Sequence, residues 1–317
     1  MKFEHTEVWG FAHALRGMRN PKESWHLNDS FYSRYTNAIG NPAWNVEQFQ
    51  KTFCRYEGVD AILYNIGPND MRLAQTLIKG GPEHRKFLRQ IFVSVDITAP
   101  LYWWKEFDTY KVGTVANSTS TMHKIQSKPI TLENFETGDF NSDLLIYEHY
   151  TVGDFVEGTI EDLEVLRNKY NELKKEDPEL AKGFWKELIR WLPESWLQTR
   201  TVTMNYENLY AICSIGQRRF HKLGEWSSTD ENMNSFISWA RTLPYAQEFI
   251  FIDETISSEE RNAKALHEII NRMKRDNMDK VDFADFGIAI LDSDGNIRSI
   301  FDVMTDLADA FDKIEKI

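Results

Sequence analysis

Two arginines near the N-terminus are the first side chains that could bind an anion. Arg16 and Arg19 lie in the segment LRGMRNP, in which Gly17 and Pro21 interrupt any regular element. Guanidinium groups beside a turn can form charge-assisted hydrogen bonds with a phosphate or a carboxylate. A solvated basic loop explains the same residues, and we expect this second interpretation to hold.

Several familiar patterns for binding phosphates or metals are absent from the sequence. It contains no GxGxxG fingerprint, no GxxxxGK phosphate loop and no close cluster of Cys and His. The run DSDGN at 292–296 begins like a calcium loop, but Val303 occupies its twelfth position, where a bidentate Glu is needed. We therefore expect a β-turn there and no metal site in the chain.

The composition indicates a chain that buries a large core and repels polyanions. Its 317 residues include 42% hydrophobic side chains, which fit one large domain or two modest ones. The formal net charge of -12 opposes non-specific binding to nucleic acid or to an anionic membrane. We expect neither partner, and any anionic ligand would need a local cluster of Arg and Lys.

The cysteine content and the apolar runs indicate the compartment. Cys54 and Cys213 are the only cysteines, and no cationic, apolar leader opens the sequence. No apolar run approaches the roughly 20 residues that span a bilayer. We expect a cytoplasmic protein without disulfides or a transmembrane segment.

Short β-prone runs alternate with longer helical patterns, which predicts an α/β (α+β) fold with a central sheet flanked by helices. We expect strands at 60–66 and 92–98 to share this sheet. The predicted helices lie at 71–79, 101–110, 160–175, 179–191, 201–215 and 231–241. An acidic helix at 257–275 and a hairpin at 286–301 follow. We expect a main domain at 1–244 and an acidic C-terminal extension at 245–317.

The segment from His84 to Lys111 resembles the flavin-dependent thymidylate synthases. In that family a His opens a strand, an Ala-Pro pair ends it, and the next helix delivers the motif RHRxxSxxxxSxRY. Here Pro100, preceded by Ala99, stands sixteen residues after His84. The other motif positions are filled by Glu106 in place of Gln, by Thr109-Tyr110-Lys111 in place of Arg-His-Arg, and, after one inserted residue, by Ser120.

A second segment, from Ile189 to Glu225, follows the order of the same family. The family has an Arg beside a Leu-Pro pair, then Thr-x-Asn, then an Arg in the following helix. The corresponding residues here are Arg190, Leu192-Pro193, Thr203-Met204-Asn205, Asn208 and the pair Arg218-Arg219. The resemblance covers about residues 60–230, and Glu207 stands where the family's Asn-x-Arg has its Arg.

The resemblance implies one-carbon transfer to C5 of a pyrimidine deoxynucleoside monophosphate, either dUMP or dCMP. It implies FAD as the cofactor and NADPH and methylenetetrahydrofolate as co-substrates. It also implies a homotetramer in which subunits share each active site. Residues 1–244 would then be the nucleotide-binding catalytic domain, with the fold of that family.

The same resemblance assigns roles to three overlapping sets of residues. The candidate catalytic residues are Ser120, Arg218 and Arg219. The substrate would bind to Glu106, Lys111, Ser118, Ser120, Arg190, Arg218 and Arg219, whose cations suit a phosphate. The cofactor would contact His84, Thr109, Tyr110, Lys111, Asn205, Asn208 and His221.

The aromatic helix LYWWKEFDTYK allows two interpretations. Trp103, Trp104 and Tyr110 could form a stacking face for a base or an isoalloxazine ring. Alternatively, Trp103, Trp104 and Phe107 have the spacing of residues that pack one helix face into a core.

Departures from the family motif lower the expected affinity for FAD. Thr109-Tyr110-Lys111 keeps one cation, and Glu207 adds an anion near a pyrophosphate. Losing two charge-assisted bonds weakens binding roughly a hundredfold. An alternative function is therefore a non-catalytic nucleotide-binding protein that has lost the flavin site. A third is a regulatory or assembly subunit in which 245–317 is an interaction module.

Overall fold

The computed structural model describes residues 1–35, 61–110, 112–229 and 234–255. The chain divides into two compact units, Met1–Phe251 and Ile252–Ile317. In the second unit the described part is the 3-10 helix Ile252–Thr255. Outside the described residues lie Lys111, Cys54, the predicted helix at 257–275 and the predicted hairpin at 286–301 with its β-turn.

The described strands are, in chain order, β1 Lys2–Trp9, β2 Phe31–Tyr35, β3 Ala61–Asn65, β4 Phe92–Pro100, β5 Val115–Ser118, β6 Leu145–Tyr147, β7 Tyr150–Thr151 and β8 Leu197–Asn205. The described α-helices are α1 Phe11–Met18, α2 Pro68–Lys79, α3 Leu101–Phe107, α4 Thr121–Lys124, α5 Val152–Leu173, α6 Pro178–Arg190, α7 Tyr206–Ile212, α8 Gly224–Ser227, α9 Phe236–Arg241 and α10 Ala246–Phe249. Strands and helices together confirm the predicted α+β class.

The central sheet has the order β1-β4-β8-β5, and its neighbouring strands are antiparallel. Strict alternation in β4 gives the sheet two different faces: Val93, Val95 and Ile97 are buried, whereas the residues between them are partly exposed. On the exposed face, the hydroxyl groups of Ser94 and Thr203 lie 3.0 Å apart. The predicted strand at 92–98 is therefore confirmed.

The buried face of the sheet packs against an aromatic cluster. Trp103, Trp104 and Phe107 of α3 are at most 2% exposed. The rings of Trp103 and Trp226 have centroids 4.5 Å apart, and Phe236 packs against both. The core interpretation of the aromatic helix is therefore correct. A stacking face that includes Trp103 and Trp104 is wrong, because neither ring is accessible to a ligand.

One of the predicted helices is wrong in its first part. The predicted helix at 201–215 is a strand as far as Asn205, and α7 then covers only Tyr206–Ile212. Val202 and Met204 are buried at alternating positions, and β8 pairs with β4 on one side and β5 on the other. This pairing between distant strands overrides the apparent helical spacing.

The strand predicted at 60–66 exists as β3, but it does not join the central sheet. It pairs with β2 in a separate two-stranded sheet. The partner strand comes from a polar, aromatic-rich stretch for which the sequence analysis predicted no strand.

The other predicted helices are found with shifted ends. The predictions at 71–79, 101–110, 160–175 and 179–191 correspond to α2, α3, α5 and α6. In the segment predicted as a helix at 231–241, α9 begins at Phe236, after Ser235 caps it by accepting from the backbone N–H of Ser238. Residues 230–233 lie outside the described residues.

Helices α5 and α6 form a hairpin with its own small core. Leu163 and Leu188 pack with residues of the 125–135 segment. Phe135 then bridges to Trp196, just before β8, and the two rings meet edge to face with centroids 5.4 Å apart. The hairpin is thus fixed to the end of the sheet at which β8 begins.

Arg19 and Asp70 form a buried ion pair between the chain after α1 and the first turn of α2. Their side chains are 3% and 0% exposed, and Arg19 donates to Asp70 at 2.6 Å. Asn28 and Ser30 donate to the second carboxylate oxygen. The predicted solvated loop is therefore wrong for Arg19, whose anion is an internal carboxylate.

The chain just after the predicted boundary at 244 belongs to the first unit as far as Phe251. The Tyr245 hydroxyl donates to the carbonyl of Tyr64, and Phe249 is fully buried. The division into a catalytic domain at 1–244 and an extension at 245–317 stays a prediction.

Replacing Asp70 with Asn should lower the free energy of unfolding by about 3–5 kcal/mol, because it leaves the Arg19 guanidinium buried without a counter-charge. Chemical denaturation would measure the change. The matched control is Glu194→Gln, which breaks the exposed Lys105–Glu194 pair and should cost less than about 1 kcal/mol. Equal losses in the two variants would contradict the assignment.

Candidate functional site

Arg218 joins the end of α3 to the segment that follows α7. Its guanidinium forms an ion pair with Glu106 at 2.8 Å and donates from Nε to the Tyr110 hydroxyl at 3.1 Å. It also lies over the ring of Trp226, 4.9 Å from the centroid. These residues form the Arg218 cluster, which contains Glu106, Tyr110, Arg218, His221 and Trp226.

Glu106 lies at the centre of the Arg218 cluster. Its Oε2 accepts from the Trp226 indole at 2.9 Å and lies 3.6 Å from Nε2 of His221. Within the described residues, no hydrogen bond reaches Oε1, and the side chain is 31% exposed. One carboxylate oxygen is thus available to accept from a ligand.

The surroundings of His221 favour the neutral form of its imidazole ring. Burial lowers its pKa, and the nearby charges of Arg218 and Lys222 act in the same direction. Glu106 acts in the opposite direction and is the largest of the electrostatic influences. Nδ1 accepts from the backbone N–H of Leu223, which leaves the proton on Nε2 facing Glu106.

A second carboxylate, that of Glu225 in α8, contacts α3 one helical turn before Glu106. The Tyr102 hydroxyl donates to Glu225, which is 2% exposed. Burial and then the Glu225 carboxylate raise the pKa of Tyr102, so its hydroxyl stays protonated and satisfies the acid. This pair fixes α8 against α3, which holds Trp226 beside Arg218.

Arg219 has a different environment from its neighbour. It is 3% exposed, and its Nε donates to the carbonyl of Cys213 at 2.7 Å. Its guanidinium also lies over the ring of Phe251. This burial does not favour the predicted contact between Arg219 and a substrate.

The predicted phosphate-binding residues lie on β5, α4 and α6. Ser118 pairs with Arg200 in the sheet, and Ser120 caps α4 with its hydroxyl 2.6 Å from Nδ1 of His123. Arg190, half exposed, forms an ion pair with Glu187 at 2.5 Å. Within the described part of the chain, no hydrogen bond or ion pair joins Arg190 to either serine.

Helix α6 nevertheless packs close to the two serines. Trp185 donates to the carbonyl of Met122 in α4 at 3.1 Å. Arg190 stands five positions after Trp185, which corresponds to ~7.5 Å along a helix. Arg190 therefore lies between one and two helical turns beyond the point at which α6 contacts α4, the helix that follows Ser118–Ser120, which we call the serine loop.

Three of the predicted cofactor residues form hydrogen bonds within the protein. Asn205 and Asn208 form a reciprocal capping box at the start of α7. Asn208 also donates to the carbonyl of Val112, and a Cβ on Gly113 (φ +76°) would meet Asn205 at 2.7 Å. Thr109 donates to the carbonyl of Glu106. The capping box thus fixes the loop that follows Tyr110.

His84 lines a separate cavity of about 750 Å³, between α1, α2 and the 3-10 helix Arg85–Gln90. Lys86 and Arg89 contribute cationic side chains to its lining. Phe87 and Leu77 contribute apolar surface. The volume lies within the usual range for a small-molecule site.

Glu207 is compensated by two arginines that the sequence analysis missed. Its carboxylate forms ion pairs with Arg89 and, at 3.5 Å, with Arg85. Glu207 therefore does not stand as an isolated anion, and the weakened binding of FAD stays a prediction. The run HRKFLR at 84–89, with four basic side chains before β4, was the available signal.

Arg200 is a further residue that sequence reasoning missed. It forms an ion pair with Asp108 at 3.0 Å, and its guanidinium lies 4.2 Å from the centroid of the Trp104 ring. Because Arg200 pairs with Ser118 across the sheet, it places a cation next to the serine loop.

No family model and no curated protein matches the sequence. Solved structures are similar to it. The flavin-dependent thymidylate synthase ThyX from Helicobacter pylori, complexed with FAD and dUMP, is 14% identical, with a TM-score of 0.46, over 80% of this chain and 99% of that chain. The UMP/dUMP methylase PolB from Streptomyces cacaoi, bound with 5-Br dUMP, is 14% identical, with a TM-score of 0.35, over 59% of this chain and 82% of that chain. The first is a member of the family that the sequence resembles.

The described residues lack two further structural features. None of their helices is long and apolar enough to cross a bilayer. Nor do they contain a group of three His, Cys, Asp or Glu side chains that could hold a metal ion.

Replacing Glu106 with Gln should lower the pKa of His221 further, because it removes the negative charge that most raises this pKa. An NMR titration of the His221 ring would measure the shift. Glu187→Gln is the control, since Glu187 pairs with Arg190 and is not among the groups that shift His221. A His221 pKa that rises or stays unchanged in Glu106→Gln would contradict the proposed cluster.

Proposed function

We propose that the protein is an enzyme that transfers a one-carbon group to C5 of a pyrimidine deoxynucleoside monophosphate, dUMP or dCMP, with FAD as its cofactor. NADPH and methylenetetrahydrofolate would be the co-substrates. The observation that carries the proposal is the Arg218 cluster. It joins the two segments in which the sequence resembles the flavin-dependent thymidylate synthases, through a hydrogen bond between residues 108 positions apart.

The Arg218 cluster offers the groups that an activated pyrimidine needs. Arg218 would donate to a ring carbonyl and stabilise the anionic form of the base that has lost its N3 proton, and the added negative charge makes C5 more nucleophilic. The free oxygen of Glu106 would accept from an N–H of the base. Tyr110, which is partly exposed, would supply the face on which the base stacks.

The phosphate would lie at the serine loop. Ser118 and Ser120 supply hydroxyl donors, Arg200 is adjacent, and Arg190 approaches along α6. Holding the phosphate here would fix the orientation of the base relative to Arg218, which lowers the entropic part of the barrier.

The residues of the His84 cavity fit a flavin nucleotide in charge and in size. Lys86 and Arg89 line this cavity with one acid, Glu83, and Arg85 shares the Glu207 carboxylate with Arg89, so the region keeps a net positive charge that suits a phosphate. The apolar lining contributed by Phe87 and Leu77 suits the flat surface of a ring. Bound FAD would supply the reducing equivalents for the transferred group.

Calorimetry with dUMP and dCMP tests the nucleotide part of the proposal. The parent protein should bind at least one of them. Arg218→Ala should weaken that binding by about 1.5–3 kcal/mol, because it removes a charge-assisted donor. Lys105→Ala, on the exposed side of α3, is the matched control and should bind normally. Absence of binding to both nucleotides in the parent would overturn the proposal.

Flavin titration tests the cofactor part. FAD should bind to the parent, and His84→Ala should weaken binding about tenfold through the loss of one hydrogen bond and its ring contact. His149→Ala, an exposed histidine in the turn between β6 and β7, should not change FAD affinity. A parent that binds dUMP but no FAD would favour the alternative, a non-catalytic nucleotide-binding protein. One observation favours that alternative. Thr109 stands where the family has an Arg, and its hydroxyl donates to the backbone carbonyl of Glu106.

We further propose that the enzyme is a homotetramer with sites shared between subunits. Val112 and Phe220, at the edges of the Arg218 cluster, are 88% and 76% exposed, which fits a site completed by a second copy. Light scattering should return a mass of about four chains. A monomer at micromolar concentration would contradict this part.

A further inference from the structure

A second cavity lies beside Arg16, and it shares no lining residue with the His84 cavity. It has a volume of about 300 Å³ and is formed by α1, the 3-10 helix Trp25–Leu27, and strands β2 and β3. Its walls include the rings of Trp25, Phe31, Tyr32 and Tyr64. We refer to it as the aromatic pocket.

The rings of the aromatic pocket are held in place yet open to solvent. Tyr32 and Tyr64 are direct cross-strand partners whose rings meet edge to face, with centroids 4.8 Å apart. The Trp25 indole donates to the Asn20 side chain at 2.9 Å, which fixes the orientation of its ring. Phe31 and Tyr32 are 59% and 63% exposed. Apolar surface of this kind, fixed in position and uncovered, favours a flat aromatic ligand.

The electrostatics of the aromatic pocket favour an anion. The carboxylate of Asp70 accepts hydrogen bonds from Asn28 and Ser30, which line the pocket, and its charge is already neutralised by Arg19. Arg16 is different: its guanidinium lies 5.7 Å from the centroid of the Trp25 ring and is exposed. Among the described residues, no carboxylate forms an ion pair with it. The pocket therefore presents one available cation next to a stacking surface.

We propose that the aromatic pocket binds a flat aromatic ring that carries an anionic group. The ring stacks among Trp25, Tyr32 and Tyr64, and Arg16 donates to the carboxylate or phosphate on it. A volume of about 300 Å³ is at the lower end of the range for ligand sites, so the ligand contains one ring system. This site is independent of the proposed pyrimidine site.

The test uses two anionic probes, 4-aminobenzoate and adenosine monophosphate, with 4-aminobenzamide and adenosine as neutral counterparts. Binding to the full chain is followed by calorimetry. We expect at least one anionic probe to bind, and its neutral counterpart to bind about tenfold more weakly. The two anionic arms distinguish a carboxylate ligand from a phosphate ligand.

Variants locate the binding. Arg16→Gln should weaken the anionic probe about tenfold, and Trp25→Leu should also weaken it. The control is Arg72→Gln, an exposed arginine on α2 bonded to Asn69, which should bind like the parent. Arg218→Ala should also bind like the parent, which separates this site from the pyrimidine site. Absence of binding to both anionic probes, or unchanged binding in Arg16→Gln, would overturn the proposal.

Discussion

Strand β4 pairs along its whole length with β8, and this pairing sets where each candidate ligand residue can lie. Pro100 lies opposite Leu197, and Phe92 lies opposite Asn205. Helix α3 therefore leaves the sheet where β8 enters it, and the capping box of α7 forms at the other end. The chain after α7 must return past the buried face to reach α3, and Trp226 fills the space between them. The Arg218 cluster is a consequence of that return.

Acidic partners accompany most of the cations that the site would use. Arg218 pairs with Glu106, Arg190 with Glu187, and Arg200 with Asp108. The formal net charge of -12 means that acidic side chains outnumber basic ones in this chain. A phosphate must then compete with a carboxylate for each guanidinium, which reduces the net gain from each contact. Exposed pairs such as Arg190–Glu187 exchange partners at little cost, whereas the partly buried Arg218–Glu106 pair is better suited to bind a ligand as a unit.

Patterns with a clear period predicted their elements well. Alternation in 92–98 gives β4, and the long amphipathic runs give α5 and α6, because many residues contribute to each pattern. The segment 201–215 failed because Val202, Met204, Tyr206 and Leu209 fit a helix and a strand about equally well over so short a run. For the site, the sequence resemblance selected Glu106, Tyr110, Arg218 and His221, which the fold brings together. It could not show that Arg219 is directed into the core, because the Phe251 ring against which it packs is distant in sequence. The capping box of Asn205 and Asn208 is local, but the sequence analysis missed it because it placed both residues inside a longer helix.

Glu207 shows why a charge cannot be assessed without its partners. Compared with the family motif alone, a Glu in place of an Arg removes one positive charge and adds a negative one. In the fold, Arg85 and Arg89 both reach this carboxylate, so the three side chains together carry one net positive charge, the same as a single Arg. Placing an Arg at position 207 would bring three guanidinium groups together at close range, where repulsion is strong. The acid is therefore compatible with an anionic cofactor at this place, and the expected weakness of the flavin site depends on Thr109 and Tyr110 alone.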